Sequence, residues 1–204
     1  MNIPNRLSLS RIIIAPLMMF FYFATFIPGA RFVAAGLFVI GAITDFVDGY
    51  IARKYNLITD LGKFLDPIGD KLLVTFALIL VTTDGTIPLP YGAIVLAIIV
   101  GRDLVVDMLR QVAGANGTVI AADMFGKYKT TTQDVALAIL LVYSGLLAFG
   151  TCTQTALDII MWVGYGFLIL AVLLTIISMI NYLVKNRAVF SKDNGKKESE
   201  KSHS

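Results

Sequence analysis

The chain has 204 residues, 57% of them hydrophobic and only 15% charged, with a mean hydropathy of +0.78. A soluble domain carries about 25% charged residues, so this balance excludes an ordinary soluble enzyme and points to an all-α integral membrane protein. The single cysteine, Cys152, excludes an internal disulfide and a cysteine-based metal centre, and the single histidine, His203, lies in a polar tail away from any apolar segment.

In chain order, residues 1–11 mix polar and apolar positions, with Pro4 near the start, and predict a short N-terminal amphipathic surface helix. The apolar run that follows reaches about residue 28, longer than the core of a signal peptide, and reads as a span. Six transmembrane helices are expected, over 12–28, 32–53, 68–83, 91–112, 131–149 and 156–184. Turn residues mark the breaks: Pro28-Gly29, Asp84-Gly85 with Pro88 and Pro90, and Gly150. Gly114-Ala115-Asn116-Gly117 reads as a loop, and Gly164 and Gly166 as close-packing positions. Residues 1–190 thus form one membrane domain, and 191–204, rich in Lys, Ser and Glu, a disordered polar tail.

With six spans, every basic residue but Arg31, of the 17 present, falls on one side. The positive-inside rule puts that side, with both termini, in the cytoplasm of a multi-pass cell-membrane protein. A pI near 9.0 then reflects topology and anionic lipid, not nucleic acid. Trp162 and Tyr165 read as interfacial or packing aromatics.

Of the five aspartates between residues 45 and 70, four form two closely spaced pairs at the facing ends of the second and third spans. Asp45 and Asp48 are spaced i, i+3, and Asp66 and Asp70 i, i+4, so each pair shares one helix face. Two such helices side by side aim four carboxylates at one point. That arrangement repels itself at a bilayer edge unless hard divalent cations bind through oxygen. Gly49, Ala52 and Gly62 leave backbone open to close approach.

The spacing Asp45-x2-Asp48-Gly49-x2-Ala52-Arg53-x8-Gly62-x3-Asp66-x3-Asp70 matches, at each fixed position, the signature of the CDP-alcohol phosphotransferase family, which the chain resembles. The resemblance implies two divalent ions, Mg2+ or Mn2+, at Asp45, Asp48, Asp66 and Asp70. It also implies proton abstraction by Asp70, and contacts to the cytidine diphosphate group at Gly49, Arg53 and Gly62. A cation beside a pyrophosphate is sensible on physical grounds too.

A second constellation comprises Arg102-Asp103, Asp107, Arg110 and Gly126-Lys127-Tyr128-Lys129-Thr130. One reading is a self-neutralising set of ion pairs with ordinary flanking charge. The other is a pocket for a phosphate-bearing acceptor, because four cations near the motif exceed what topology needs. Here the resemblance narrows to bacterial members that use CDP-diacylglycerol as donor and glycerol 3-phosphate as acceptor. It is carried by MNIPN at the N-terminus, Thr44 to Tyr50, Phe64 to Pro67, Asp70-Lys71, Leu109-Arg110 and Gly126 to Thr130. It implies acceptor-phosphate contacts at Arg102, Arg110, Lys127, Lys129 and Thr130, membrane lipid as surroundings and a homodimer. Asp103 departs from the glutamate expected there, shortening the local ion-pairing reach. Gln133 and Asp134 read either as cavity-lining or as membrane-edge polarity.

Other acceptors within the family, such as inositol phosphate or phosphatidylglycerol, remain alternatives. A cation transporter needs polar groups along a full crossing. Asp84 and Asp158 belong to the outer boundary, leaving the outer halves of the spans nearly free of charge.

Overall fold

A computed structural model describes residues 3–55, 60–115, 124–150 and 152–185. The side chains at 3, 4, 48, 50–55, 60, 61, 63, 64, 66 and 115 lie outside that description, as does the expected tail from Ser191. Six helices are present among the described residues: α1 (Ile3–Phe23), α2 (Ala30–Tyr55), α3 (Asp60–Thr83), α4 (Tyr91–Ala115), α5 (Met124–Phe149) and α6 (Gln154–Lys185). The three expected breaks hold, each with a glycine at positive φ: Gly29 at 75°, Gly85 at 81° and Gly150 at 70°.

Helix ends differ from the hydropathy boundaries in an instructive way. α1 stops at Phe23 rather than residue 28: residues 24–28 form turns, with Pro28 disfavouring helical backbone at Ile27. α3 and α5 begin at Asp60 and Met124, seven or eight residues before their apolar runs. Charged residues there end the hydropathy signal while the helical backbone continues.

The expected surface helix at the N-terminus is not a separate element. α1 runs unbroken from Ile3, and its polar residues point inward: Asn5, Ser8 and Arg11 are buried and continue as Ala15, Met18 and Tyr22. This is one stripe at three- and four-residue spacing. A polar stripe seeks interfacial water only when no partner exists inside the bundle, and here partners exist.

α1 packs on α2 and α3, α5 and α6 form an extensive hairpin, α2 reaches across to α5, and α4 fills against α6 and α3. The shared core contains Ala15, Met18, Phe38, Ala77, Leu78, Leu137 and Leu140, all fully buried. Large apolar side chains such as Phe20, Ile40, Ile94, Ile159 and Leu173 face outward instead, as a bilayer solvent permits. α1, α2, α5 and α6 are long and apolar enough to cross a membrane. α3 and α4 have 24 and 25 residues, about 36 Å of helix, but carry more charge.

Polar side chains gather at two ends. At one end, Asp84 in the α3–α4 turn accepts hydrogen bonds from Tyr22, from Ser144 Oγ at 2.6 Å and from the Thr86 N–H at 2.9 Å. Arg31 completes the group, 3.3 Å from Asp84 and 5.0 Å from the Tyr22 ring centroid. Burial alone would raise the Asp84 pKa, but the hydrogen bonds from Ser144, Tyr22 and Thr86 outweigh it and hold the carboxyl below its usual range. The other end carries the aspartate motif, roughly 20 Å away along α3.

Candidate active site

The motif residues lie on two adjoining helices, as their spacing requires. Asp45 and Asp48 occupy consecutive turns of α2, and Asp66 and Asp70 consecutive turns of α3, with Pro67 inside the helix. The side chains of Asp48, Arg53 and Asp66 lie outside the described residues; Asp45, Gly49, Gly62 and Asp70 lie within them.

Two features of this region escaped sequence reasoning. Arg11, counted there only as flanking charge, is fully buried and forms an ion pair with Asp45. Its Nη2 also donates to Ser8 Oγ at 3.4 Å. Gly69 is the second. A Cβ placed there would lie 2.9 Å from the Ser8 carbonyl oxygen and 3.3 Å from Arg11 Cβ. The absence of a side chain lets α3 approach the α1 backbone and sets Asp70 beside the helix that carries Arg11. The available signals were the polar stripe Asn5, Ser8, Arg11 and the small residue next to Asp70.

The second constellation is built by α4, α5 and α6. Lys129, only 2% exposed, donates from Nζ to both Asp103 oxygens at 2.9 and 2.7 Å. Arg102 donates from Nη1 to Asp103 at 3.1 Å and from Nη2 to Ser178 Oγ at 2.6 Å. Asp107, one turn beyond Asp103, pairs with Lys71, the neighbour of Asp70. The two α4 carboxylates therefore tie α4 to α3 and to α5.

Not every expected cation joins this focus. Arg110 lies over the Tyr182 ring, 5.7 Å from its centroid. Lys127 is exposed, and the Thr130 hydroxyl donates to the Gly126 carbonyl of its own helix at 3.1 Å. Asp103 was noted in the sequence for its length; its place at the centre of the cluster comes from the helix packing. Gln133 is 1% exposed on the Lys129 face of α5, and Asp134 beside it is half-buried.

Among the described residues no cluster of three or more His, Cys, Asp or Glu stands together. The motif nevertheless fits a hard divalent cation by its donor chemistry: carboxylate oxygens only, on two packed helices, with Arg11 supplying counter-charge to one of them.

The family model for CDP-alcohol phosphatidyltransferases matches residues 1–177. A Bacillus subtilis protein named CDP-diacylglycerol–glycerol-3-phosphate 3-phosphatidyltransferase is 39% identical over 196 residues, covering 91% of this chain and 95% of the relative. An Escherichia coli K12 protein of the same name is 36% identical over 197 residues, covering 92% and 96%. The match takes in both the aspartate motif and the Arg102–Lys129 cluster, and the chain belongs to the CDP-alcohol phosphatidyltransferase family.

Proposed function

We propose that this protein transfers the phosphatidyl group of CDP-diacylglycerol to glycerol 3-phosphate, releasing CMP and forming phosphatidylglycerol phosphate. The observation that carries the reading is a carboxylate motif and a cation cluster at the same end of the bundle, in a chain aligned over nine-tenths of its length with enzymes of that name. The acceptor's primary hydroxyl attacks the phosphorus that bears diacylglycerol. The bond from that phosphorus to the bridging oxygen breaks, and CMP leaves. Asp70 takes the hydroxyl proton.

Asp45, Asp48, Asp66 and Asp70 would hold Mg2+ or Mn2+, which supply charge neutralisation for the pyrophosphate and the leaving group. Gly49, Arg53 and Gly62 lie in the motif where the cytidine diphosphate binds. Arg102 and Lys129 receive the acceptor phosphate by exchanging part of their bonding to Asp103. Diacylglycerol chains need a site open to lipid and the polar substrates one open to water; the inner membrane edge meets both. All six helices cross the membrane in this reading, with the motif and both termini cytoplasmic. The fully buried apolar layer between the two polar ends argues against a transport path.

Detergent-solubilised protein given CDP-diacylglycerol, Mg2+ and a panel of acceptors, with CMP release as readout, tests the assignment. Glycerol 3-phosphate should be used and inositol phosphate or phosphatidylglycerol should not. Excess chelator should abolish release, and Mg2+ or Mn2+ should restore it. Preference for another acceptor, or full turnover in chelator, would overturn the corresponding part.

A further inference from the structure

Gln133 is almost wholly buried, and among the described residues its Oε1 has no hydrogen-bond partner. Folded interiors pair nearly all such atoms, so an unpaired buried amide oxygen marks a place where a donor is missing. A second buried atom of the same cluster, Arg102 Nε, likewise has no acceptor among the described residues. The protein thus leaves one acceptor and one donor open in a region otherwise densely bonded through Asp103.

The position of Gln133 gives the open acceptor a meaning. It stands one turn from Lys129 on the same face of α5; Lys129 bonds Asp103, and Asp107, one turn along α4, pairs with Lys71, the neighbour of Asp70. Its turn of α5 therefore sits beside the cation that would hold the acceptor phosphate, at the end of the bundle that carries the carboxylate that takes the proton. Glycerol 3-phosphate has the same order of groups: a phosphate, a secondary hydroxyl, then the primary hydroxyl that reacts. A neutral amide oxygen accepts from a hydroxyl and has no attraction for a phosphate oxygen.

We propose that Gln133 Oε1 accepts a hydrogen bond from the C2 hydroxyl of glycerol 3-phosphate and is a specificity-determining residue for the acceptor. This rests on the acceptor assignment above. Burial makes the bond discriminating: an acceptor lacking the hydroxyl leaves the amide oxygen buried and unpaired during reaction, with no solvent to replace the donor.

The test compares glycerol 3-phosphate with 3-hydroxypropyl phosphate, which lacks only the C2 hydroxyl, in wild type and in Gln133→Leu and Gln133→Met, using the full chain and CMP release. Wild type should favour glycerol 3-phosphate in kcat/KM by roughly ten- to a hundredfold. Both variants should bring that ratio to near one, chiefly by losing activity toward glycerol 3-phosphate. A structural role for Gln133 would lower both acceptors equally and keep the ratio, which overturns the proposal. Equal use of the two acceptors by wild type overturns it without reference to any variant's folding. Wild type that uses neither refutes the acceptor assignment itself, a distinguishable result.

Discussion

At the scale of single residues, the two ends of the acceptor should respond differently to substitution. Lys129 is buried and bonded to Asp103, and Arg102 shares that carboxylate. Lys129→Ala removes one charge-assisted contact to the acceptor phosphate, worth about 1.5–3 kcal/mol, or roughly ten- to a hundredfold. The expected outcome is a rise in acceptor KM of that size with donor KM little changed, measured by initial rates. Asp70→Asn should instead collapse kcat, since the proton acceptor is lost while the phosphate contacts remain. Equal effects of the two changes on KM and kcat would argue that the two groups do not divide the work this way.

At the scale of helices, the crossing of α1 and α3 depends on Gly69. A methyl group there meets a backbone oxygen at 2.9 Å, which cannot rotate away as a side chain can, so the helices must separate. Gly69→Ala should cost about 1–3 kcal/mol of stability and reduce kcat more than either KM, because Asp70 moves with the backbone. A thermal melt alongside initial rates checks both, and an unchanged Tm with unchanged kcat would refute it. The opposite end offers a pH prediction. Asp84 ties the α3–α4 turn to Tyr22 of α1 and Ser144 of α5, with Arg31 of α2 beside it. Its pKa is lowered in the folded state, so its contribution is present above the ordinary carboxylate pKa of about 3.9 and is lost as pH falls through the lower folded value. Asp84→Asn should lower Tm at neutral pH by weakening these bonds, about 2 kcal/mol of stability. The deficit against wild type should shrink as the medium is acidified below about pH 4. A deficit constant with pH would show that the charge is not what matters.

For the molecule as a whole, orientation is the testable property. Among the described residues, Arg31 is the basic side chain placed with Asp84, while Arg11, Lys71, Arg102, Arg110 and Lys129 lie toward the motif end. That separation predicts a cytoplasmic motif end and an external 84–90 turn. After replacement of Cys152, single cysteines at 88 and at 127 should differ in intact cells: an impermeant reagent labels the first and not the second. The reverse pattern would invert the topology.

Local chemistry settled much of this protein before any packing was known. Helical spacing put Asp45 with Asp48 and Asp66 with Asp70, turn residues located the breaks at Gly29, Gly85 and Gly150, and hydropathy identified the membrane class. All of these depend on residues within a few positions of one another, where the backbone alone dictates neighbours. Packing decided the rest. Arg11 reads as a flanking charge in the sequence and Lys129 as either an ion-pair member or a phosphate contact; both are buried, because carboxylates 34 and 26 residues distant neutralise them. The inward turn of α1's polar stripe, the approach at Gly69 and the open acceptor on Gln133 depend in the same way on contacts between helices. A charge or amide tolerates burial only when a partner from another helix meets it, or when a ligand will, and sequence spacing carries no information on which helix that is.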